Sequence, residues 1–108
     1  MKNYPLKNNI NNLKFVYSEN DTLSIIFQNN QILSGVLGEF NSNLNELEKL
    51  TETKLYFRGN SIIIKNSNGK NEIIKNSIIF LVEQYKKNGS IEKKDIVSSL
   101  NKFMVNEN

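Results

Sequence analysis

The chain has 108 residues, 14 basic against 11 acidic side chains for a net charge of +3, and 38% hydrophobic residues. That is enough chain for one domain with one modest core, and too little surplus charge for a strong electrostatic DNA binder. Cysteine and histidine are both absent, which excludes disulfides, thiolate nucleophiles, Ser-His-Asp and Cys-His triads and nearly all zinc sites.

Residues 1–12 (MKNYPLKNNINN) are polar, Asn-rich and hold the only proline, and are predicted to form a flexible tail. They contain no signal-peptide apolar core, so the expected location is cytoplasmic. Leu13 to Tyr17 is a candidate short strand, Ser18 to Asp21 a turn, and Leu23 to Phe27 a strand rich in β-branched and aromatic residues. Gln31 to Leu37 has helical spacing in Ile32, Leu33, Val36 and Leu37. Asn43 followed by Glu46 makes a capping-box pattern, so Asn43 is predicted to cap a second short helix with Leu44, Leu47 and Leu50 on its apolar stripe.

Lys54 to Arg58 and Ser61 to Lys65 flank Gly59-Asn60, the signature of a two-residue hairpin turn in which both residues take positive φ. That register opposes Phe57 to Ile62 and Leu55 to Ile64 on one face, predicted to be core. It opposes Tyr56 to Ile63, Arg58 to Ser61 and Lys54 to Lys65 on the other, predicted to be open. Asn66 to Gly69 reads as a loop. Lys70 to Lys87 reads as the longest helix, turned inward through Ile73, Ile74, Ile78, Leu81, Val82 and Tyr85 and stopped by Gly89. Ile91 to Met104 is a final amphipathic helix carrying Ile96, Val97, Leu100, Phe103 and Met104. The longest apolar run, Ile78 to Val82, is far short of the roughly 20 residues of a membrane span. The expected class is therefore α+β, with a three-stranded antiparallel sheet centred on Ser61–Lys65 and helices on one face.

The order strand, helix, helix, strand, strand, helix resembles the K-homology (KH) module of the eukaryotic type, in which a GxxG loop between two helices grips a single-stranded nucleic-acid backbone. The run Leu44 to Leu55 (LNELEKLTETKL) resembles the helix after that loop, and puts the loop at Gly38-Glu39-Phe40-Asn41. There the second glycine is replaced by Asn41, and Glu39 adds a negative charge. A literal GxxG, Gly35 to Gly38, falls three residues early with apolar middle residues, and reads as packing or helix ending.

A tighter resemblance is to the N-terminal domain of PhoH-like proteins, bacterial P-loop ATPases. It is carried by Gly38, Glu39, Asn41, Asn43, Leu44, Leu47 and Glu48, then Arg58-Gly59-Asn60, then the long helix. The resemblance covers about Leu23 to Leu100. It implies a KH-like domain over 13–104, with 105–108 beginning a linker to an ATPase domain. No G-x-x-x-x-G-K-[ST] occurs, so ATP and Mg²⁺ are expected only on that other domain, and the chain itself is expected to be no enzyme and to need no cofactor.

Lys54, Tyr56, Arg58 and Lys65 are the candidate nucleic-acid-binding residues. Arg58 is the only arginine beside thirteen lysines, and its planar fork suits a phosphate or a carboxylate; pairing with a nearby Glu is the plain structural alternative. Charge and an aromatic ring on an open sheet suit single-stranded RNA, and they equally suit docking to the chain's own ATPase domain or to further copies of itself. Gly59, Asn60 and Asn43 are given structural roles. Glu39 and Glu48 lack the cleft that paired-carboxylate catalysis requires, and Glu48 is expected to be a solvated helix residue.

Overall fold

The computed structural model describes the backbone of residues 9–10 and 12–104 and the side chains of residues 12–101. The elements run β1 (Asn9–Ile10), β2 (Leu13–Ser18), β3 (Thr22–Phe27), α1 (Asn30–Leu37), a 3₁₀ turn (Glu39–Asn41) and α2 (Ser42–Thr51). They continue with β4 (Leu55–Arg58), β5 (Ser61–Ile64), α3 (Asn71–Asn88) and α4 (Lys93–Met104). β2, β3, β5 and β4, in that spatial order, form a four-stranded antiparallel sheet, extended past β2 by the two-residue β1.

The α+β class is as expected; the three-stranded sheet and the simple β-α-α-β-β-α order are not. Leu13–Ser18 pairs along its full length with β3, so two strands precede the helices. β5 lies between β3 and β4, and shares the interior of the sheet with β3. Asn9–Ile10 pairs with Lys14 and Leu13 where a tail was predicted. The remainder of that tail, residues 1–8 and 11, and the linker at 105–108 lie outside the described residues.

Alternation decides which side is dry. Leu13, Phe15, Leu23, Ile25, Phe27, Leu55, Ile62 and Ile64 point to one face and are buried, joined in one cluster with Ile32, Leu33, Val36, Leu37, Leu44, Leu47, Ile74, Ile78, Leu81, Val82, Ile96 and Leu100 from the helices. Each such side chain contributes about 1.5–3 kcal/mol of transfer free energy. Ile73 and Tyr85, expected inside, are half-buried at the margin, and Leu50, Val97 and Phe57 are each about 40% exposed. Phe57 lies on the edge strand β4 two residues beyond Leu55, which is buried where α2 meets the start of that strand.

α1 begins on Asn29, whose Oδ1 accepts from the Ile32 amide at 2.9 Å, and ends at Gly38, φ 79°, whose amide donates to the Ser34 carbonyl. A Cβ on Gly35 would overlap the Tyr85 ring of α3, so the early glycine pair serves packing and helix ending, as read. α2 is entered differently from the capping-box expectation. Phe40 and Asn41 both take left-handed φ, 54° and 58°, and the helix has no side-chain cap. Asn43, inside its first turn, instead turns its Nδ2 toward the Gly35 carbonyl at 3.5 Å. Gly89 ends α3 as predicted, with φ 78° and its amide donating to the Tyr85 carbonyl at 2.7 Å.

A partly buried polar knot ties the first hairpin to α3. Asn71 donates its Nδ2 to the Asp21 carboxylate at 3.0 Å and lies 3.3 Å from the Asp21 carbonyl. Its Oδ1 accepts from the Ser67 hydroxyl at 2.6 Å, while Ser67 Oγ accepts from the Lys70 amide. Truncating Asn71 strands Ser67 and frees the turn. Asn71→Ala is expected to lower unfolding free energy by about 2 kcal/mol, seen as a lower urea midpoint at unchanged m-value; an unchanged midpoint would contradict the role given to this knot.

Candidate nucleic-acid interface

The hairpin register is the one the turn dictates: Leu55 opposes Ile64, Tyr56 opposes Ile63, Phe57 opposes Ile62 and Arg58 opposes Ser61. Only Gly59 of the turn has positive φ, 61°, and Asn60 does not, the pattern of a type II′ turn with glycine first. Asn60 is instead a clamp: its Nδ2 donates to the Phe27 carbonyl at 2.9 Å, and its carbonyl accepts from the Phe27 amide at 2.9 Å.

The face away from the helices carries the predicted residues. Tyr56 is 40% exposed; Lys65 Nζ lies 5.2 Å and Lys54 Nζ 5.9 Å from its ring centroid. Both distances fall within cation–π range. Lys54 also meets Glu48 Oε2 at 3.8 Å. Arg58 is exposed and forms no ion pair among the described residues, so the local carboxylate partner considered for it is not there.

The pairings extend this face across all four strands. One ladder runs Val16, Ser24, Ile63, Tyr56; its neighbour runs Lys14, Ile26, Ser61, Arg58. Three interstrand steps make each ladder about 14 Å wide. The first ends in the exposed Val16 and Tyr56, and the second ends in two cations. No carboxylate stands at the strand positions of this face. Lys14 and Val16 join this candidate face because Leu13–Ser18 is a full strand of the sheet, whose alternation places both on one side.

The GxxG-equivalent loop is elsewhere, in the helical layer between α1 and α2. Gly38 donates its amide to Ser34, Asn41 donates to the Gly38 carbonyl at 3.0 Å, and Ser42 donates to Glu39. A Cβ on Gly38 would come within 2.6 Å of the Asn43 amide. Two of the loop's four amides, those of Gly38 and Asn41, are thus spent inside the turn rather than turned to a ligand. The structure gathers Lys54, Tyr56, Arg58 and Lys65 on one face and leaves Gly38, Glu39, Phe40 and Asn41 on the other side of the domain.

Glu48, expected in solvent, is half-buried. Its Oε2 accepts the Leu55 amide at 2.8 Å, fixing the start of β4 against α2, and so holds Tyr56 in position. Across the sheet, Tyr17 donates to Glu72 at 2.9 Å and accepts from Lys75 Nζ at 3.0 Å; Lys75 also lies over the Phe15 ring at 4.8 Å. Among the described residues no cluster of three or more acidic side chains could hold a metal ion, and no helix is long and apolar enough to cross a membrane. No protein-family model, curated protein or solved structure matches this chain.

Two expectations follow from these contacts. Glu48→Ala strips the Leu55 amide of its acceptor and should cost about 1–2 kcal/mol, with weakened hydrogen-exchange protection confined to the β4 edge; unchanged protection there would refute the link. For Lys75, burial pulls the ammonium pKa down, but the Tyr17 hydrogen bond and the Glu72 carboxylate outweigh it and raise it above 10.5. A raised folded pKa stabilises below the unfolded value and is lost as pH climbs through the folded one. Melting temperature should therefore fall above about pH 10.5, and less so in Lys75→Met; identical alkaline profiles for the two proteins would exclude the contribution.

Proposed function

We propose that the open sheet face binds single-stranded RNA, and that the chain is the non-catalytic N-terminal domain of a cytoplasmic PhoH-like ATP-binding protein, presenting RNA to its ATPase. The observation that carries the binding half is the exposed Tyr56 ring, with the Lys65 and Lys54 ammonium groups 5.2 and 5.9 Å from its centroid, on a face whose strands supply cations and no carboxylate. Stacking of a base on an exposed ring contributes about 1–3 kcal/mol whatever the base. Lys14, Lys54, Arg58 and Lys65 give the backbone several phosphate contacts at the edges of the same platform. The half that concerns the ATPase rests on the resemblance of Gly38 to Glu48 and of Arg58-Gly59-Asn60; ATP and Mg²⁺ belong to that second domain. The spent amides of the Gly38–Asn41 turn favour the sheet over the loop as the surface that meets RNA.

The test is anisotropy of a labelled single-stranded RNA titrated with the chain at 50 and 200 mM salt. Three or four phosphate contacts predict roughly a 20- to 50-fold loss of affinity over that range. Arg58→Ala and Lys54→Ala should each flatten the salt slope, and Tyr56→Ala should weaken binding at both salts. No binding at tens of micromolar protein in low salt, or binding indifferent to all three substitutions, would overturn the reading.

A further inference from the structure

Two features at opposite ends of α2 are left over by both the fold and the sheet face. At its N-terminal end, Phe40 is 90% exposed and sits at φ 54°, a conformation that costs a bulky L-residue about 1–2 kcal/mol and that glycine would adopt freely. The chain thus holds an aromatic side chain in water on a strained backbone, and nothing among the described residues receives it. At the C-terminal end, Leu50, Thr51, Glu52, Lys70 and Ile73 line an open pocket of about 270 Å³. Its apolar walls are Leu50, 41% exposed, and the half-buried Ile73. Lys70 is pinned at its rim by a 2.6 Å hydrogen bond to the Thr51 carbonyl.

We infer that Phe40 of one copy inserts into the Leu50–Ile73 pocket of another, so that the domain self-associates head to tail along α2. The ten residues of α2 separate knob from hole by about 15 Å, so no copy can fill its own pocket and the contact is heterologous. Charge agrees with that direction. The knob end carries Glu39; the pocket end carries Lys49 and Lys70 against Glu52, and Lys70 meets no carboxylate among the described residues. Successive helices then meet with the positive end of one dipole toward the negative end of the next. One aromatic knob is an interface well below the standard size class, so association is weak and reversible. It leaves the sheet face open, and does not depend on RNA being bound there.

Sedimentation velocity of the full chain from about 5 µM to 1 mM tests this. The wild-type weight-average coefficient should rise with concentration, while Phe40→Gly and Leu50→Glu each sediment as monomers. Phe40→Gly relieves the positive φ, so a melting temperature at or above wild type shows that it is folded; Leu50 is exposed, and its substitution should leave the circular dichroism unchanged. Phe40→Gly keeps only the hole and Leu50→Glu only the knob, so an equimolar mixture should form a 1:1 dimer that grows no further. A wild type monomeric throughout, a Phe40→Gly protein that still associates, or a mixture that stays monomeric would each overturn the inference. Arg58→Ala should associate like wild type, which separates this result from any failure of RNA binding.

Discussion

The structure depends on one constraint: a single face of a four-stranded sheet is dry, and every strand must keep its register to hold it so. Shifting any strand by one residue would exchange Leu23, Ile25 and Phe27 for Thr22, Ser24 and Ile26, or Ile62 and Ile64 for Ser61 and Ile63. The isoleucine-rich β5 makes that choice least obvious in sequence and most heavily supported in structure, since it is paired on both sides. The helices follow from it. The described helices α1, α2 and α4, of 8, 10 and 12 residues, are too short to be stable alone, and they and the 18-residue α3 are held because each contributes buried residues to the cluster on that face.

The same register composes the opposite face. Tyr56 stands on Ile63, and Arg58 on Ser61, only because Leu55 and Ile62 must point inward. A polar or apolar role for the outer face is thus inherited from the core. Glu48, Asn60 and Asn71 reinforce this arrangement from three directions: helix to edge strand, hairpin turn to inner strand, and first turn to long helix. All three are polar side chains spent on backbone or on other side chains of the fold, which accounts for several of the polar residues of the chain without any ligand.

Much of this was legible from residue order. Gly59-Asn60 between alternating runs set the hairpin pairing, because a two-residue turn leaves no slack in register. Gly89 and the Gly35–Gly38 pair were read by type, since a helix end or a close approach selects glycine locally. What failed was non-local. A cap on α2 was read from Asn43 and Glu46, but the chain enters that helix through two left-handed residues that no spacing rule anticipates. Glu48 looked solvated because its partner, the Leu55 amide, is unpaired only once β4 is an edge. Ser67 and Asn71 meet Asp21 through the fold, not through sequence. The candidate face was half visible: Lys54, Tyr56, Arg58 and Lys65 are neighbours in one hairpin, whereas Lys14 and Val16 reach the same face only through β3. Phe40 carried no signal beyond an aromatic residue in a turn.

The ladder between β3 and β5 has a kinetic meaning. β2 with β3, and β4 with β5, are hairpins closed by a few residues, while β3 and β5 pair Ile25 with Ile62 across nearly forty intervening positions that include two helices. Loop-closure entropy falls almost wholly on that one ladder. The two hairpins can form early and singly, but neither has a dry face until they meet, and the Asn60–Phe27 clamp sits at the end of the ladder where they join. A turn whose side chain is committed to the neighbouring hairpin therefore closes the ladder of greatest sequence separation in the sheet, and a change at Asn60 is expected to register in the refolding rate.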